Sequence, residues 1–512
     1  MRVPLTIADH LDRAATVYPE RVGVIDEPDP PGGGLGTLTY GRVAELAAAQ
    51  AAGLDALGFE RGQRVAVLSQ NSARLLISFY GVAAYGRVLV PINFRLSPAE
   101  VEYIVEHSGA SMVLYDPELA DSVAGIDVKH KIQIGTDTDD EIFRLGIEPE
   151  PWATPDEDAT ATINYTSGTT ARPKGVQLTH RNLWINSATF GWHAGVNDRD
   201  VYLHTLPMFH CNGWGMPFAA TAMGVPQVVL RKVDGADILR RVAEHRVSLL
   251  CGAPAVVAMI LDAAATWDGD VPGCDEVRIV VAGAPPPTRT IERVESELGW
   301  EFIQIYGLTE TSPLLTMNRG RAEWDELSPA DRAVKLGRAG APCVGVRIEV
   351  DGKGEVLASS NVVLDGYWEQ PEATADAIVD GWFHTGDGGI VDDDGYLTIS
   401  DRKKDVIISG GENISSFEVE DALFSHPAVA EVAVIGVPHE KWGETVKALV
   451  VLAPGASATE AELIDHCRGR LAHYKCPTSV ELRDELARTA TGKLQKFKLR
   501  GPYWEGQERQ VN

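Results

Sequence analysis

Tyr165-Thr-Ser-Gly-Thr-Thr-Ala-Arg-Pro-Lys-Gly-Val-Gln-Leu-Thr-His180 is the stretch from which the rest of the chain is read. Ahead of it, Ala161-Thr-Ile-Asn-Tyr165 alternates apolar and polar residues and predicts a strand. Behind it, Thr179-His-Arg-Asn-Leu-Trp-Ile-Asn-Ser187 predicts a helix with Thr179 as its cap. The turn between them carries the hydroxyls of Thr166, Ser167, Thr169 and Thr170, the glycines Gly168 and Gly175, and the cations Arg172 and Lys174. Such a turn suits a polyphosphate. Glycine lets the backbone approach, N–H and O–H groups donate to the oxygens, and a lysine supplies a point charge. Turns rich in Ser, Thr and Gly also occur as plain solvated loops, so composition alone leaves both readings open.

The order is not that of a Walker A loop, which requires Gly-Lys-Ser/Thr; here Pro173 and Lys174 precede Gly175. As an ordered string the stretch resembles the phosphate-binding signature of the adenylate-forming superfamily: acyl-CoA synthetases, peptide-synthetase adenylation domains and luciferases. That resemblance implies that Thr166, Ser167, Gly168, Thr169, Thr170 and Lys174 bind ATP, with Thr166 and Lys174 taking part in catalysis.

Four further stretches fall in the order of that family. Val277-Arg-Ile-Val-Val-Ala-Gly-Ala-Pro-Pro-Pro287 and Phe302-Ile-Gln-Ile-Tyr-Gly-Leu-Thr-Glu-Thr311 each read as an apolar strand running into a polar loop. Ligands of parallel sheets bind beyond the carboxyl ends of such strands. By resemblance Gly283, Ala284 and Pro285 flank the adenine, Tyr306 stacks on it beside Gly307, Thr309 meets the α-phosphate, and Glu310 holds Mg²⁺. A single glutamate after a strand is ordinarily a solvated residue, whereas a hard cation bridging phosphate oxygens needs one or two carboxylates. Asp387, in Gly381-Trp-Phe-His-Thr-Gly-Asp-Gly-Gly-Ile390, reads alone as a turn-forming Asp. Resemblance assigns it, with Arg402, to the ribose hydroxyls. Arg488-Thr-Ala-Thr-Gly-Lys493 looks like the loop of the catalytic lysine, placing Lys493 in that role; otherwise Lys493, Lys496, Lys498 and Arg500 form a basic helix face.

Leu206-Pro-Met-Phe-His-Cys-Asn-Gly-Trp-Gly-Met216 reads either as core with a turn or, by resemblance, as the acid pocket, with His210, Asn212 and Trp214 as its candidates. Gly410-Gly-Glu-Asn413 resembles the loop beside which pantetheine passes in CoA ligases, so Gly410, Gly411 and Glu412 are expected along the coenzyme A path.

Outside the motifs, residues 1–115 alternate helical (40–57, 73–85, 98–107) and strand-like (64–68, 88–92, 111–115) segments. That alternation predicts an α/β fold with an open, largely parallel sheet. A smaller α+β domain is expected after a hinge at Lys404, giving an N-terminal ATP- and acid-binding domain over 1–403 and a mobile lid over 404–512. At 512 residues the chain is too long for one core. Its net charge of −27 argues against nucleic acid and makes each cation inside a motif more informative. The six cysteines are scattered with no Cys-x-x-Cys pair, so reduced, buried thiols are expected. No apolar run reaches the length of a membrane span. The stretch from Met1 to Asp9 has too short an apolar run for a signal peptide, and the last residues carry no peroxisomal signal, so the cytosol is the expected location.

The resemblance implies an AMP-forming acyl-CoA synthetase using ATP, Mg²⁺ and coenzyme A, as monomer or homodimer. A carboxylate attacks the α-phosphate, and a thiol then displaces AMP. The acid is expected to be a medium-chain fatty acid or a small aromatic one. A carrier-protein thiol or an amine as acceptor, and a non-catalytic nucleotide-binding relative, are the alternatives.

Overall fold

The computed structural model describes residues 1–166, 172–402, 405–409, 412–439, 441–488 and 494–505. Among them, two large sheets face each other across a layer of helices. One is seven-stranded and includes Arg64–Leu68, Val88–Ile92, Met112–Tyr115, Thr160–Thr166 and Lys174–Thr179. The other is nine-stranded and includes Tyr202–His204, Leu249–Gly252, Arg278–Val281 and Glu301–Gly307. The inner strands of both run parallel.

The period-2 geometry of a strand explains why both sheets are covered twice. Val65 and Val67 enter the central core, whereas Ala66 and Leu68 enter a separate outer core under the helix Pro98–Ser108. In the second sheet Val280, Ile303 and Ile305 face the centre, and Ile279, Val281 and Phe302 face outward. The near-continuous apolar runs of these strands therefore follow from burial on both faces. The helix Tyr40–Ala56 begins at Thr39, whose hydroxyl accepts from Arg42 N, and Ala73–Gly81 begins at Ser72, which accepts from Leu75 N. The expected helix over 73–85 ends early, at Gly81, and resumes as the short turn Ala83–Tyr85. A side chain at Gly81 would meet Gln50 at 2.3 Å, so the helix crossing there requires glycine.

A third sheet, built on Val346–Val350, Glu355–Ser360, Trp382–Val391 and Leu397–Arg402, flanks the ends of the large ones. The last two of these strands form a hairpin, in whose turn Asp392 accepts from Asp394 N and Tyr396 N.

From residue 405 onward the chain has its own core. Ile407, Ile414, Val419, Leu423, Val432, Val434, Val446, Val450, Leu463 and Val480 pack together under the helices Ser416–Phe424 and Glu460–Arg468. The expected hinge Lys404 lies outside the described residues. All six cysteines are free thiols; five are buried, and Cys274 departs from the expectation by lying exposed in a loop. Among the described residues no helix is long and apolar enough to cross a membrane.

Candidate active site

The two strands flanking the opening stretch pair antiparallel, with Thr166 opposite Lys174. The expected phosphate-binding residues Ser167, Gly168, Thr169 and Thr170 lie outside the described residues. The root of the turn is braced from several sides. Tyr103, on the Pro98–Ser108 helix, donates to Pro173 O at 3.3 Å, and its ring lies 5.2 Å under the Arg172 guanidinium. Trp368 N donates to Gly175 O at 2.7 Å. A Cβ at Gly175 would meet Ile163, Tyr165 and Trp368 at 2.9 to 3.3 Å, so this glycine serves close packing as well as flexibility. Downstream, Thr179 caps the helix His180–Ala194 in a reciprocal box with Asn182, as its sequence predicts.

Lys174 meets a residue for which sequence reasoning had proposed nothing. The short strand Gly366–Tyr367 pairs with Lys174–Thr179, placing Tyr367 opposite Val176 and hence on the same face as Lys174. The Lys174 ammonium sits 4.6 Å from the centre of the Tyr367 ring. The Tyr367 hydroxyl in turn donates to Glu310 Oε1 at 3.0 Å. Burial, reinforced by the negative charge of Glu310, pushes the Tyr367 phenol well up, so it remains a donor at any working pH. Glu310 belongs to the turn Thr309–Thr311, directly after the strand Glu301–Gly307, and its carbonyl accepts from Leu364 N at 2.8 Å.

On the same rim Tyr306 donates to Asp387 Oδ2 at 2.9 Å. Asp387, 7 % exposed, is held by its own N–H on Thr385 Oγ1 and stands opposite Arg402 in the strand pairing. The Arg402 side chain is outside the described ones. Glu355, also missed from sequence, shapes this corner: it accepts from Gly386 N at 3.0 Å and faces His384 Nδ1 at 3.2 Å. Gly283 has φ +94 and open space where a Cβ would stand, while Ala284 and Pro285 are half-buried beside it. Gly307 has a packing reason for its identity: a Cβ there would lie 1.5 Å from the Pro313 carbonyl oxygen.

The segment His210–Gly215 is a left-handed run, with positive φ from Cys211 through Trp214. His210 is half-buried at its start. Asn212 is 0 % exposed and its amide is engaged, accepting from Asn164 Nδ2 at 3.1 Å and donating to Thr162 Oγ1 at 2.9 Å. The side chain thereby ties the segment to the Thr160–Thr166 strand. Trp214 is 5 % exposed within the central core, and its carbonyl accepts from Asn186. Cys211 Sγ lies 3.9 Å from Thr309 O, so the expected acid-side and phosphate-side segments touch. Burial and then Glu310 push the Cys211 thiol up, which makes it a packing group and not a nucleophile.

In the C-terminal domain, Gly410, Gly411 and Lys493 lie outside the described residues; Glu412 is exposed at the start of the strand Glu412–Ile414. Of the basic run, Lys498 is exposed, whereas Lys496 and Arg500 turn to carboxylates. Lys496 pairs with Glu420 at 2.7 Å and with the Ser416 hydroxyl, and Arg500 pairs with Asp405 at 3.1 Å. Asp421 reaches across to the N-terminal part, accepting from Thr288 N at 3.0 Å, five residues beyond Gly283.

The donor set fits a magnesium nucleotide. Among the described residues no group of three or more His, Cys, Asp or Glu gathers to hold a metal alone. Glu310 offers hard carboxylate oxygens at a corner shared with Lys174, the kind of donor that suits Mg²⁺ when bound phosphates complete its coordination. A buried carboxylate at Asp387 and an open cradle at Gly283 suit a ribose and a base.

The pattern of the family described as AMP-binding enzyme matches residues 11–368, and that of the AMP-binding enzyme C-terminal domain matches 418–493. The chain is 37% identical to 4-hydroxybutyrate–CoA ligase 2 of Metallosphaera sedula, over 96% of this chain and 93% of that one. It is 36% identical to 2-methylpropanoate–CoA ligase CCL4 of Humulus lupulus, covering 97% and 95%. Among solved structures, o-succinylbenzoate CoA synthetase from Bacillus subtilis with its acyl-adenylate superposes with TM-score 0.82 at 31% identity, covering 96% and 97%. The same Bacillus enzyme with ATP and magnesium gives 0.80 at 29%, covering 96% and 99%.

Proposed function

This chain belongs to the AMP-binding enzymes, and we propose that it joins a short- or medium-chain, or a small aromatic, carboxylic acid to coenzyme A. It is an AMP-forming acyl-CoA ligase by class; the acid is the proposal. The observation that carries the assignment of roles is the contact chain from Lys174 through Tyr367 to Glu310 at the mouth of the phosphate turn.

In the first half-reaction a carboxylate oxygen attacks the α-phosphorus and the bond to the β-phosphate oxygen breaks, releasing pyrophosphate. Two anions meet, so cations must offset the developing charge. Lys174 serves the departing phosphates, and Thr166 and Thr309 offer hydroxyls to the phosphate oxygens. Glu310 would hold Mg²⁺, which supplies charge neutralisation between phosphate oxygens. Tyr306 and the Gly283–Ala284–Pro285 loop receive the base, and Asp387 with Arg402 the ribose. In the second half-reaction the thiol, losing its proton, attacks the acyl carbon, and AMP leaves with the bonding pair.

His210, half-buried, is assigned to the entry of the acid and Trp214, buried in the central core, to the floor of its pocket. A small acid is also what the ligases for 4-hydroxybutyrate and 2-methylpropanoate take. Lys493 is assigned to the carboxylate and α-phosphate side, and the Gly410–Gly411–Glu412 loop to the pantetheine path. Both belong to one small domain yet act in different steps, so the domain over 404–512 turns about Lys404 between them.

The test is an acid panel of C3 to C10 straight and branched acids with benzoate derivatives, scored by pyrophosphate release and by thioester formed from coenzyme A, a carrier protein or an amine. Turnover restricted to acids longer than C10, or transfer only to a carrier protein or an amine, would sink this reading.

A further inference from the structure

We propose that Tyr367 is a positioning residue for the nucleotide step: one side chain that seats Lys174 on its ring and aims Glu310 with its hydroxyl. The inference rests on the reading of Glu310 as the metal-holding carboxylate and Lys174 as a phosphate cation.

An ammonium and a carboxylate at one site attract each other, and a direct ion pair would leave each less available to a ligand of the opposite kind. Tyr367 offers both an alternative. The face of an aromatic ring carries negative quadrupolar density and holds a cation without cancelling its charge. The edge hydroxyl donates one hydrogen bond to the carboxylate and so fixes its rotamer. The Lys174 ammonium lies 4.6 Å from the ring centre, and the hydroxyl lies 3.0 Å from Glu310 Oε1.

Tyr367 is itself rigidly placed. Its strand pairs with Lys174–Thr179, its N–H donates to Thr374 Oγ1 at 2.9 Å, and the residue is 9 % exposed in the central core. Its neighbours fix the same corner from both sides, since Leu364 N binds Glu310 O and Trp368 N binds Gly175 O. A side chain held this firmly can pass its position to two flexible ones, which lowers the ordering cost when a magnesium nucleotide arrives.

The two arms separate by substitution. Tyr367→Phe keeps the ring and removes only the donor. Its affinity for a non-hydrolysable ATP analogue, measured by calorimetry, should fall about tenfold in Mg²⁺, the scale of one charge-assisted hydrogen bond, and stay unchanged in EDTA. Tyr367→Leu removes the ring as well and should weaken analogue binding in both buffers. Thermal melts of each variant check that the fold persists; Tyr367→Phe is close to isosteric, so it carries the decision if Tyr367→Leu fails to fold. Equal effects of Tyr367→Phe with and without Mg²⁺, or none, overturn the inference. Glu310→Gln run alongside distinguishes the layers. If it abolishes the Mg²⁺ effect while Tyr367→Phe does not change it, the positioning role is wrong and the metal role stands. If Glu310→Gln also leaves the Mg²⁺ effect intact, the metal role falls and the inference falls with it.

Discussion

Lys174 at the phosphate-side corner and Lys496 in the C-terminal domain are held in opposite ways. At the nucleotide rim of the N-terminal part, Lys174 rests on an aromatic ring. In the C-terminal domain Lys496 is locked to Glu420, Arg500 to Asp405 and Lys475 to Glu418. A cation neutralised by a carboxylate has done its work once the chain is folded. A cation on a ring keeps its charge for something that arrives later. In a chain of net charge −27, that difference is what sets Lys174, proposed to serve a polyanion, apart from the cations that staple a small domain.

The largest expected effect tests the first half of that contrast. Glu310→Ala should slow pyrophosphate release by about 100- to 1,000-fold, the usual loss on removing one preorganised electrostatic group, with little change in melting temperature. A folded variant with unchanged adenylation would break the comparison at its root.

Acid should separate the two parts next. His10, His180 and His204 are buried in the N-terminal part and held neutral, each lowered to about 4, by burial above all. A lowered histidine binds its proton less readily folded than unfolded. Its contribution is therefore complete above pH 6.5 and lost as pH falls from there toward 4. The loss is of the order of 3 kcal/mol per histidine. The C-terminal histidines that pack together, His426 and His466, are only partly buried. Hydrogen exchange at pH 4.5 should show the N-terminal strands opening before the 429–452 hairpin; the reverse order would refute this.

A smaller effect tests the staples. Lys496→Ala leaves Glu420 with the Val434 N–H as a remaining donor, and should cost about 2 kcal/mol in denaturant melts of the C-terminal domain. If Lys496→Ala instead left stability untouched and abolished nucleotide binding, Lys496 would belong with Lys174. The smallest effect concerns the link between the parts. Asp421→Ala removes the acceptor for Thr288 N and should shift the ratio of the two half-reaction rates by about fivefold, worth about 1 kcal/mol of lid preference. An unchanged ratio would show that this contact does not bias one half-reaction over the other.

The sequence determined most of the scaffold, because local physics is strong there. Thr39, Ser72 and Thr179 precede helices that they cap, and the strands over 64–68 and 88–92 are as their apolar runs predict. Motif order alone was enough to nominate Lys174, Tyr306, Glu310 and Asp387, of which the structure joins Lys174 to Glu310 through Tyr367, and Tyr306 directly to Asp387. Tertiary structure decided what the motifs lean on. Tyr367 lies 193 positions from Lys174 and Glu355 lies 32 from Asp387, and neither stands in a periodic pattern or beside a charge run that would single it out. Asn212 shows the converse: a polar residue in a motif, spent on Thr162 and Asn164 because an amide buried in a core must find partners there. Periodicity and capping act over a few residues and are written in the chain. Which aromatic ring receives a lysine depends on how two strands far apart in sequence come to lie side by side, and only the folded sheet sets that.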